Sequence, residues 1–314
     1  MNDFRNLLNI KYLYLISHRL EFLELCEMEM RYIFGNTSSS NYHLTNNLID
    51  ISRSAFIKGR VTILYSDKSI ENIEKMMIED NLSYDNYKIY FPKFDIVPYK
   101  TRLQSMRLLG FTINGEFAIK EPDVEFVLTK INDIWIFGIL ESNPNNWLGR
   151  KKKPHNYSHA LDIKIAKAVL NIAINNDYDL KLIDPCCGIG TVLIEGRIAG
   201  LDITGYEINP LVKQQCDINL KHFGFEPDVQ KIDMLKTTKR FDVAILDLPY
   251  GQSSLITRDE QINLIRKTKE ISNKSVIITM DDMSDIIQNI GLEIIDQCKI
   301  KKSNTFSRYV TVCK

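Results

Sequence analysis

Between residues 159 and 280 helix-like stretches recur between strand-like ones, and that regular pattern restricts the fold more than any other feature of the chain. A helical pattern over about 159–175 leads into the strand "LKLID" (180–184), a helix over 191–199 and the strand "ITGYE" (203–207). A helix over 210–222, a short strand near 228–232 and the strand "FDVAILD" (241–247) follow. The run closes with a helix over 258–271 and the strand "SVIITM" (275–280). Strands separated by helices pair in parallel through crossover connections, which gives an α/β fold with helices on both faces of the sheet. The final stretch, "EIIDQCKIKKSNTFSRYVTVCK" (293–314), reads as two more strands joined by a turn.

The front half is less regular. "LEFLELCEMEMRYIFG" (20–35) has apolar residues at helical spacing and stops at Gly35. "RVTILYS" (60–66) reads as a strand and "SIENIEKMMIEDN" (69–81) as an amphipathic helix. "EFAIKEPDVEFVLTKINDIWIFGIL" (116–140) alternates apolar and polar residues on either side of Asn132-Asp133, the pattern of a β-hairpin. Then "ESNPNNWLGRKKKPHNYS" (141–158), rich in Asn and Pro and ending in a basic run, reads as a linker. The expected division is a smaller α+β domain over 1–145 and an α/β domain over 146–314.

With 44% hydrophobic and 25% charged residues the chain can bury a sizeable core, and its formal net charge of zero argues against a protein that coats nucleic acid. A local basic face remains compatible with that balance. The six cysteines, at 26, 186, 187, 216, 298 and 313, form no Cys-x-x-Cys pair, so neither a metal site nor a disulfide framework is expected. The first thirty residues lack an unbroken apolar run, and no stretch nears the roughly 20 apolar residues of a membrane span. A cytoplasmic, membrane-free protein with reduced thiols is the expectation.

Ligands of open α/β sheets sit at the carboxyl ends of the strands. Gly188 and Gly190 in "DPCCGIGT" fall just past such an end, where glycine lets the backbone approach a ligand. The third glycine of a dinucleotide fingerprint is missing, because position 193 is Leu193, and no Gly-Lys-Ser/Thr of a P-loop follows. Glu207 ends the next strand, where a carboxylate can accept both hydroxyls of a ribose. Asp233 follows the third strand and can accept from an adenine amine. Asp184, ahead of the glycines, suits a cation and would repel a pyrophosphate. A ribose, an adenine and a positive charge without phosphates describe S-adenosylmethionine, with Pro185 and Thr191 of the same turn counted among its contacts. Each residue singly has a plainer reading: a helix cap at Asp184, a surface acid at Glu207, a small turn filler at Cys186 or Cys187.

The strand "FDVAILD" ends in Asp247-Leu248-Pro249-Tyr250. An exocyclic amine on a base is a poor nucleophile, since its lone pair is delocalised into the ring. Two acceptors relieve this by taking both N–H bonds: the Asp247 carboxylate and the Leu248 carbonyl, held by the rigid Pro249. Tyr250 offers a face on which the base can stack. A direct displacement needs no Ser or Cys nucleophile. The plainer reading of the same residues is a turn after a buried strand.

"DPCCGIGT…GYEINP…DLPYG" resembles the class I S-adenosylmethionine-dependent methyltransferases of the amino-group type, and among them the tRNA guanine-N2 methyltransferases that carry an N-terminal THUMP domain. "KPHNYSHALDIKIAKAVLNIA" (153–173) and "KKSNTFSRYVTV" (301–312) are similar to that family's entry into the catalytic domain and to its C-terminal hairpin. The resemblance implies a Rossmann-like, seven-stranded domain. It implies that Asp184, Gly188 and Gly190 hold the methionine end of the cofactor, Glu207 the ribose and Asp233 the adenine, with Asp247 to Tyr250 on the target amine. Leu248 departs from the family's usual proline, which implies a less rigid loop. The stretch 117–140 looks like the last part of a THUMP domain, and 24–35 like the helix that opens such proteins.

For RNA, the expected phosphate contacts are Arg150, Lys151, Lys152 and Lys153 in the linker with Lys301, Lys302 and Arg308 near the C-terminal turn. Lys100, Arg102 and Arg107 add charge in the first half. The expected activity is methylation of a flipped-out guanine at N2 in tRNA. Methylation of DNA adenine or protein glutamine, and an RNA-binding protein without turnover or in need of a small activating subunit, stay open, as does the oligomeric state.

Overall fold

A computed structural model describes residues 10–35, 41–118, 120–157, 160–250, 256–301 and 307–314. The chain forms two compact units. The first comprises Met1–Ser17, Ser38–Ser52 and Ile57–Pro144; the second comprises His18–Thr37, Arg53–Phe56 and Asn145–Lys314. One crossing between them lies at 144/145, within the stretch 141–158. Helix α1 (Leu23–Phe34), which sequence order assigns to the front domain, instead belongs to the second unit. The cause is its buried face: Leu25, Met28, Met30 and Ile33 need a core, and Glu29 needs polar partners that the second unit supplies.

The first unit is a six-stranded sheet of β1 (Tyr12–Ile16), β2 (Tyr42–Thr45), β3 (Ile57–Asp67), β4 (Tyr87–Tyr90), β5 (Val124–Ile131) and β6 (Ile134–Ser142), in the order β2-β1-β3-β6-β5-β4. Among the described strands of this unit, β4 and β5 run parallel and the other neighbours antiparallel. Asn132 and Asp133 both take positive φ (51° and 64°) between β5 and β6, as a two-residue hairpin turn requires. Alternation along β5 sends Phe126 and Leu128 to one face and Val127 to the other. The first face packs against α2 (Ile70–Glu79) and α3 (Tyr99–Thr112) through Ile73, Met77 and Leu109. Ser69 caps α2 by accepting from the Asn72 N–H. The sequence pattern conceals α3, because exposed Tyr99, Leu103 and Phe111 blur its apolar stripe.

The second unit is built on β7 (Lys181–Asp184), β8 (Asp202–Gly205), β9 (Phe241–Asp247), β10 (Ser272–Thr279), β11 (Ile294–Lys301) and β12 (Ser307–Cys313), in the order β11-β12-β10-β9-β7-β8. The four strands β8-β7-β9-β10 are parallel, and the β11–β12 hairpin adds antiparallel to β10. Near-continuous burial of Val243, Ala244, Ile245 and Leu246 is what a strand covered on both faces demands.

The seventh strand position holds a single bridge, Tyr206 to Gln230, with the Gln230 N–H donating to Gly205 O (3.0 Å) and the Glu207 N–H to Gln230 O (3.1 Å). Bonds from the Asp228 N–H to Glu226 O and from the Ile232 N–H to Gln230 O curl the chain on either side, so pairing stops after one residue.

Helices α4 (Ile163–Ile174), α5 (Thr191–Ile198), α6 (Pro210–His222), α7 (Arg258–Ile271) and the short α8 (Ser284–Asn289) complete this unit. Local signals start them: Asn209 caps α6 ahead of Pro210, and Thr257 and Glu260 form a reciprocal capping box on α7. At the sheet edge, Glu24 in the first turn of α1 accepts from the Lys299 N–H (2.7 Å), and Arg31 pairs with Asp296 (2.9 Å), occupying a strand edge that would otherwise be open.

Candidate active site

A cavity of about 870 Å³ opens at the carboxyl ends of β7, β8 and β9, large enough for a nucleoside with a side arm. Asp184, Glu207 and Asp247, each at or just past a strand end, line it together with Pro185, Gly188, Thr191, Asp233, Leu248, Pro249 and Tyr250. Parallel pairing brings the acids together: Asp184 is in register with Gly205, two residues before Glu207.

The glycine turn is tied to β8 at both ends. The Tyr206 N–H donates to Asp184 O (3.0 Å), and the Cys187 N–H to Tyr206 O (2.9 Å). Gly188 and Gly190 both have positive φ (53° and 83°). A side chain at 190 would begin 2.5 Å from the Cys216 sulfur, and one at 188 would crowd the Tyr157 hydroxyl at 3.2 Å. Gly190 thus serves packing, and Gly188 lets the turn close against Tyr157. Thr191 opens α5, its hydroxyl taken by the Lys153 ammonium at 2.5 Å.

The Glu207 carboxylate accepts from the Gly188 N–H (3.0 Å) and from the Asn209 N–H (2.8 Å). Those bonds, with a further one from the Ile208 backbone, fix its plane at the cavity wall. Burial raises its pKa despite them. Asp184 is buried, its Oδ1 lacks a partner among the described residues, and its pKa is raised well above the ordinary value, first by burial and then by the charges of Asp247 and Glu207. Three acids around one cavity repel one another, and a cation placed among them relieves that repulsion. Asp233 caps a short 3₁₀ turn by accepting from the Leu235 N–H (3.0 Å) while lining the cavity.

Asp247 closes β9 with a buried Oδ1 that has no hydrogen-bond partner among the described residues, and burial raises its carboxyl to about 6. The chain beyond it is well anchored. The Leu248 N–H donates to Ile278 O (2.9 Å), a bond proline cannot make, and the Leu248 side chain is in the core. The Pro249 carbonyl accepts from Gln261 Nε2 on α7 (3.0 Å). The loop flexibility that Leu248 implies is therefore replaced by a core anchor and two extra hydrogen bonds. The Tyr250 hydroxyl accepts from Arg308.

Three basic residues expected on an RNA-facing surface have other partners. Arg150 makes a two-pronged pair with buried Glu195 (both 2.7 Å), which Lys167 also approaches at 3.7 Å. Lys153 is buried on Thr191, and desolvation lowers its pKa to about 8. Arg308 is 2% exposed. A basic run in sequence does not reveal that its first and last members turn inward. Lys151, over the Trp147 ring at 5.4 Å, Lys152 and Lys301 are exposed, and Lys302 lies outside the described residues.

Two groups in the cavity escape sequence reading. Tyr157, inside the stretch read as linker, brings its hydroxyl over Gly188; burial, then Glu207 and Asp247, push its pKa up to about 12. Ile208 and Leu235, 62% and 41% exposed, also line the cavity and suit a flat apolar ring. The signal for them was present: each directly follows, or nearly follows, a strand-end acid. The described residues contain no cluster of metal-ligating side chains and no helix long and apolar enough to cross a membrane.

Residues 150–284 match the family described as UPF0020, RMKL-like methyltransferase domain. The chain is 26% identical over 222 residues to the tRNA (guanine(10)-N2)-dimethyltransferase of Pyrococcus abyssi, covering 65% of this chain and 66% of that one. It is 27% identical over 221 residues to the enzyme of the same name from Methanocaldococcus jannaschii, covering 65% and 56%. The match thus spans less than two thirds of these relatives' length. Among solved structures, TrmN from Thermus thermophilus superposes with a TM-score of 0.52 at 11% identity, over 96% of this chain and 99% of that one, a likeness of fold. The second unit thus has the α/β fold of a class I methyltransferase, and residues 150–284 are similar to methyltransferase domains.

Proposed function

We propose that the chain is an RNA methyltransferase that modifies the N2 amine of a guanine in tRNA, with residues 146–314 and helix α1 as the catalytic part and the first unit as a THUMP-like RNA-gripping module. One observation carries the reading: a buried Asp247 Oδ1 without a partner among the described residues, at a strand end, in the same cavity as Glu207 and Asp184. The relatives' names supply the substrate class.

On this reading Glu207 accepts the ribose hydroxyls, Asp233 the adenine amine, and Ile208 and Leu235 flank the adenine. Asp184 faces the cofactor's positive end. S-adenosylmethionine, held by these residues, would supply an electrophilic methyl group on a sulfonium. Asp247 and the Leu248 carbonyl accept the two N–H bonds of the target amine, draw the nitrogen towards tetrahedral geometry and aim its lone pair. Asp247 then takes the proton that leaves the amine; a carboxyl near 6 is ionised at neutral pH yet basic enough for that role. Tyr250 stacks on the extruded base, a contact worth ~1–3 kcal/mol. Lys151, Lys152 and Lys301 contact phosphates, joined by Lys100 and Arg107 of α3, all exposed. The protein works in the cytoplasm.

The test is incubation with labelled S-adenosylmethionine and unmodified tRNA, followed by mass spectrometry of nucleosides. N2-methylguanosine is the expected product. Label in N6-methyladenosine, or transfer only to DNA or protein, would refute the substrate. Transfer that appears only after a cell extract is added would establish a need for a partner subunit.

A further inference from the structure

Arg308 is one of the largest fully buried side chains of the protein, and the methyltransferase reading of the cavity leaves it without a task. Burying a guanidinium costs several kcal/mol unless its surroundings compensate. Strand register shows where it sits. Pairing joins Ile278 to Asp247 and Thr279 to Tyr309, so Arg308 lies at the end of the sheet that carries Asp247. Its guanidinium carbon is 5.7 Å from the centre of the Tyr250 ring, and Nη2 donates to the Tyr250 hydroxyl.

We propose that Arg308 is a positioning residue for methyl transfer: it fixes the Tyr250 ring as the platform for the base and holds Asp247 as a carboxylate. This rests on the function proposed above. Both tasks follow from one planar, permanently charged group. Stacking and a directed hydrogen bond together set the tilt of the Tyr250 ring, which neither would do alone. The second task follows from the charges around Asp247. Asp184 at the end of β7, Cys186 in the glycine turn and the Tyr157 hydroxyl all interact with it, and ionisation of any of them would push its carboxyl up. Arg308 is the cation that opposes burial there and lowers the carboxyl's pKa. The anionic form of Asp247 is thus favoured by a side chain from the C-terminal hairpin, 61 positions further along the chain (308 against 247).

The experiment compares Arg308→Met, Arg308→Lys and Tyr250→Phe with the parent in the full chain. Three readouts are used: cofactor binding by calorimetry, single-turnover transfer to tRNA between pH 5 and 9, and carboxyl ¹³C NMR of Asp247, assigned by its loss in Asp247→Asn. All variants should bind cofactor within a few-fold of the parent, which reports an intact fold. Arg308→Met should move the Asp247 titration and the acid limb of the rate upwards by at least one pH unit and slow transfer at pH 7 ten-fold or more. Arg308→Lys should keep the titration near the parent's and still lose rate, since an ammonium cannot stack on Tyr250 as the planar fork does. Tyr250→Phe should lose rate only. An unmoved Asp247 titration in Arg308→Met, or a parent-like rate in Arg308→Lys, overturns the proposal. If Arg308→Met does not fold, Arg308→Lys and Tyr250→Phe still decide it: a parent-like rate in either overturns it. If the parent transfers nothing to tRNA while the titration moves as stated, the substrate reading has failed and the role of Arg308 towards Asp247 stands.

Discussion

Glu207→Gln separates the two kinds of bond that one carboxylate makes. Its Oε2 accepts from the Gly188 N–H at 3.0 Å and its Oε1 from the Asn209 N–H at 2.8 Å, so both oxygens are already committed to donors. An amide has only one oxygen. Whichever way it turns, its NH₂ meets one of those two N–H groups, and one donor is left unsatisfied at a cost of about 1–3 kcal/mol of stability. The acceptor offered to a ribose changes as well. Hydrogen bonds to a charged acceptor contribute about 1.5–3 kcal/mol against about 0.5–1.5 for neutral ones. For two ribose hydroxyls the difference is about 2–3 kcal/mol, or roughly 30- to 150-fold in cofactor affinity. Calorimetric titration with S-adenosylhomocysteine measures the affinity, and urea denaturation of the ligand-free protein measures the stability. Burial raises the Glu207 pKa, and the bound form needs the anion, so the parent's affinity should weaken as the pH falls through that raised value while the variant's changes less. A variant that binds as tightly as the parent would refute the ribose assignment. One that binds normally but is destabilised would reduce Glu207 to a strap for the glycine turn.

Asp247→Ala should abolish transfer while cofactor affinity stays within a few-fold, checked by labelled-methyl transfer and calorimetry; loss of both would make Asp247 part of the cofactor pocket instead. The parent's transfer rate should fall as the pH drops through about 6, because the carboxylate is the active form, and a rate flat from pH 5 to 8 would contradict its role as proton acceptor. Glu29, held by Ser54 and Asn171, has its pKa raised from 4.5 to about 7 by burial, so its contribution to stability is fully present below about 4.5 and is lost as the pH rises through 7. Glu29→Gln should therefore be more stable than the parent at pH 8 by up to about 3 kcal/mol and no more stable at pH 4, as read by denaturant titration at both values. Replacing Lys151 and Lys152 by alanine should weaken tRNA binding and flatten its dependence on salt, measured by filter binding from 50 to 200 mM salt; unchanged binding would make both plain surface.

The parallel sheet was legible because β9 and its neighbours are short apolar runs separated by capped helices, a pattern with few alternatives. The strand-end acids were legible for the same reason: Asp184, Glu207 and Asp247 each interrupt or end such a run. What sequence order hid is what depends on contacts across the chain. Arg150 and Arg308 look like any other cations until Glu195 and Tyr250 are seen beside them. The assignment of α1 was hidden because its neighbours in sequence, β1 and β2, belong to the other unit. Leu248 misled in the opposite direction. Read as a lost proline it suggests a loose loop, whereas its N–H on Ile278 and the Gln261 bond to Pro249 hold the loop by other means.

The membership of α1 in the second unit has a consequence for how the protein is made. The chain passes between the two units at 17/18, 37/38, 52/53, 56/57 and 144/145, so no single cut separates them. A fragment starting at residue 145 would leave Asn171 without Glu29 and would uncover the β11 edge that Glu24 and Arg31 occupy. On the ribosome the order is awkward as well. Glu29 and Asn171 are 142 residues apart, so at roughly 5–20 residues per second α1 waits about 7–28 s for its partner to be synthesised. Through that interval Leu25, Met28, Met30 and Ile33 form an apolar helix face with no core to enter, a natural target for a chaperone. The first helix made is among the last to find its place.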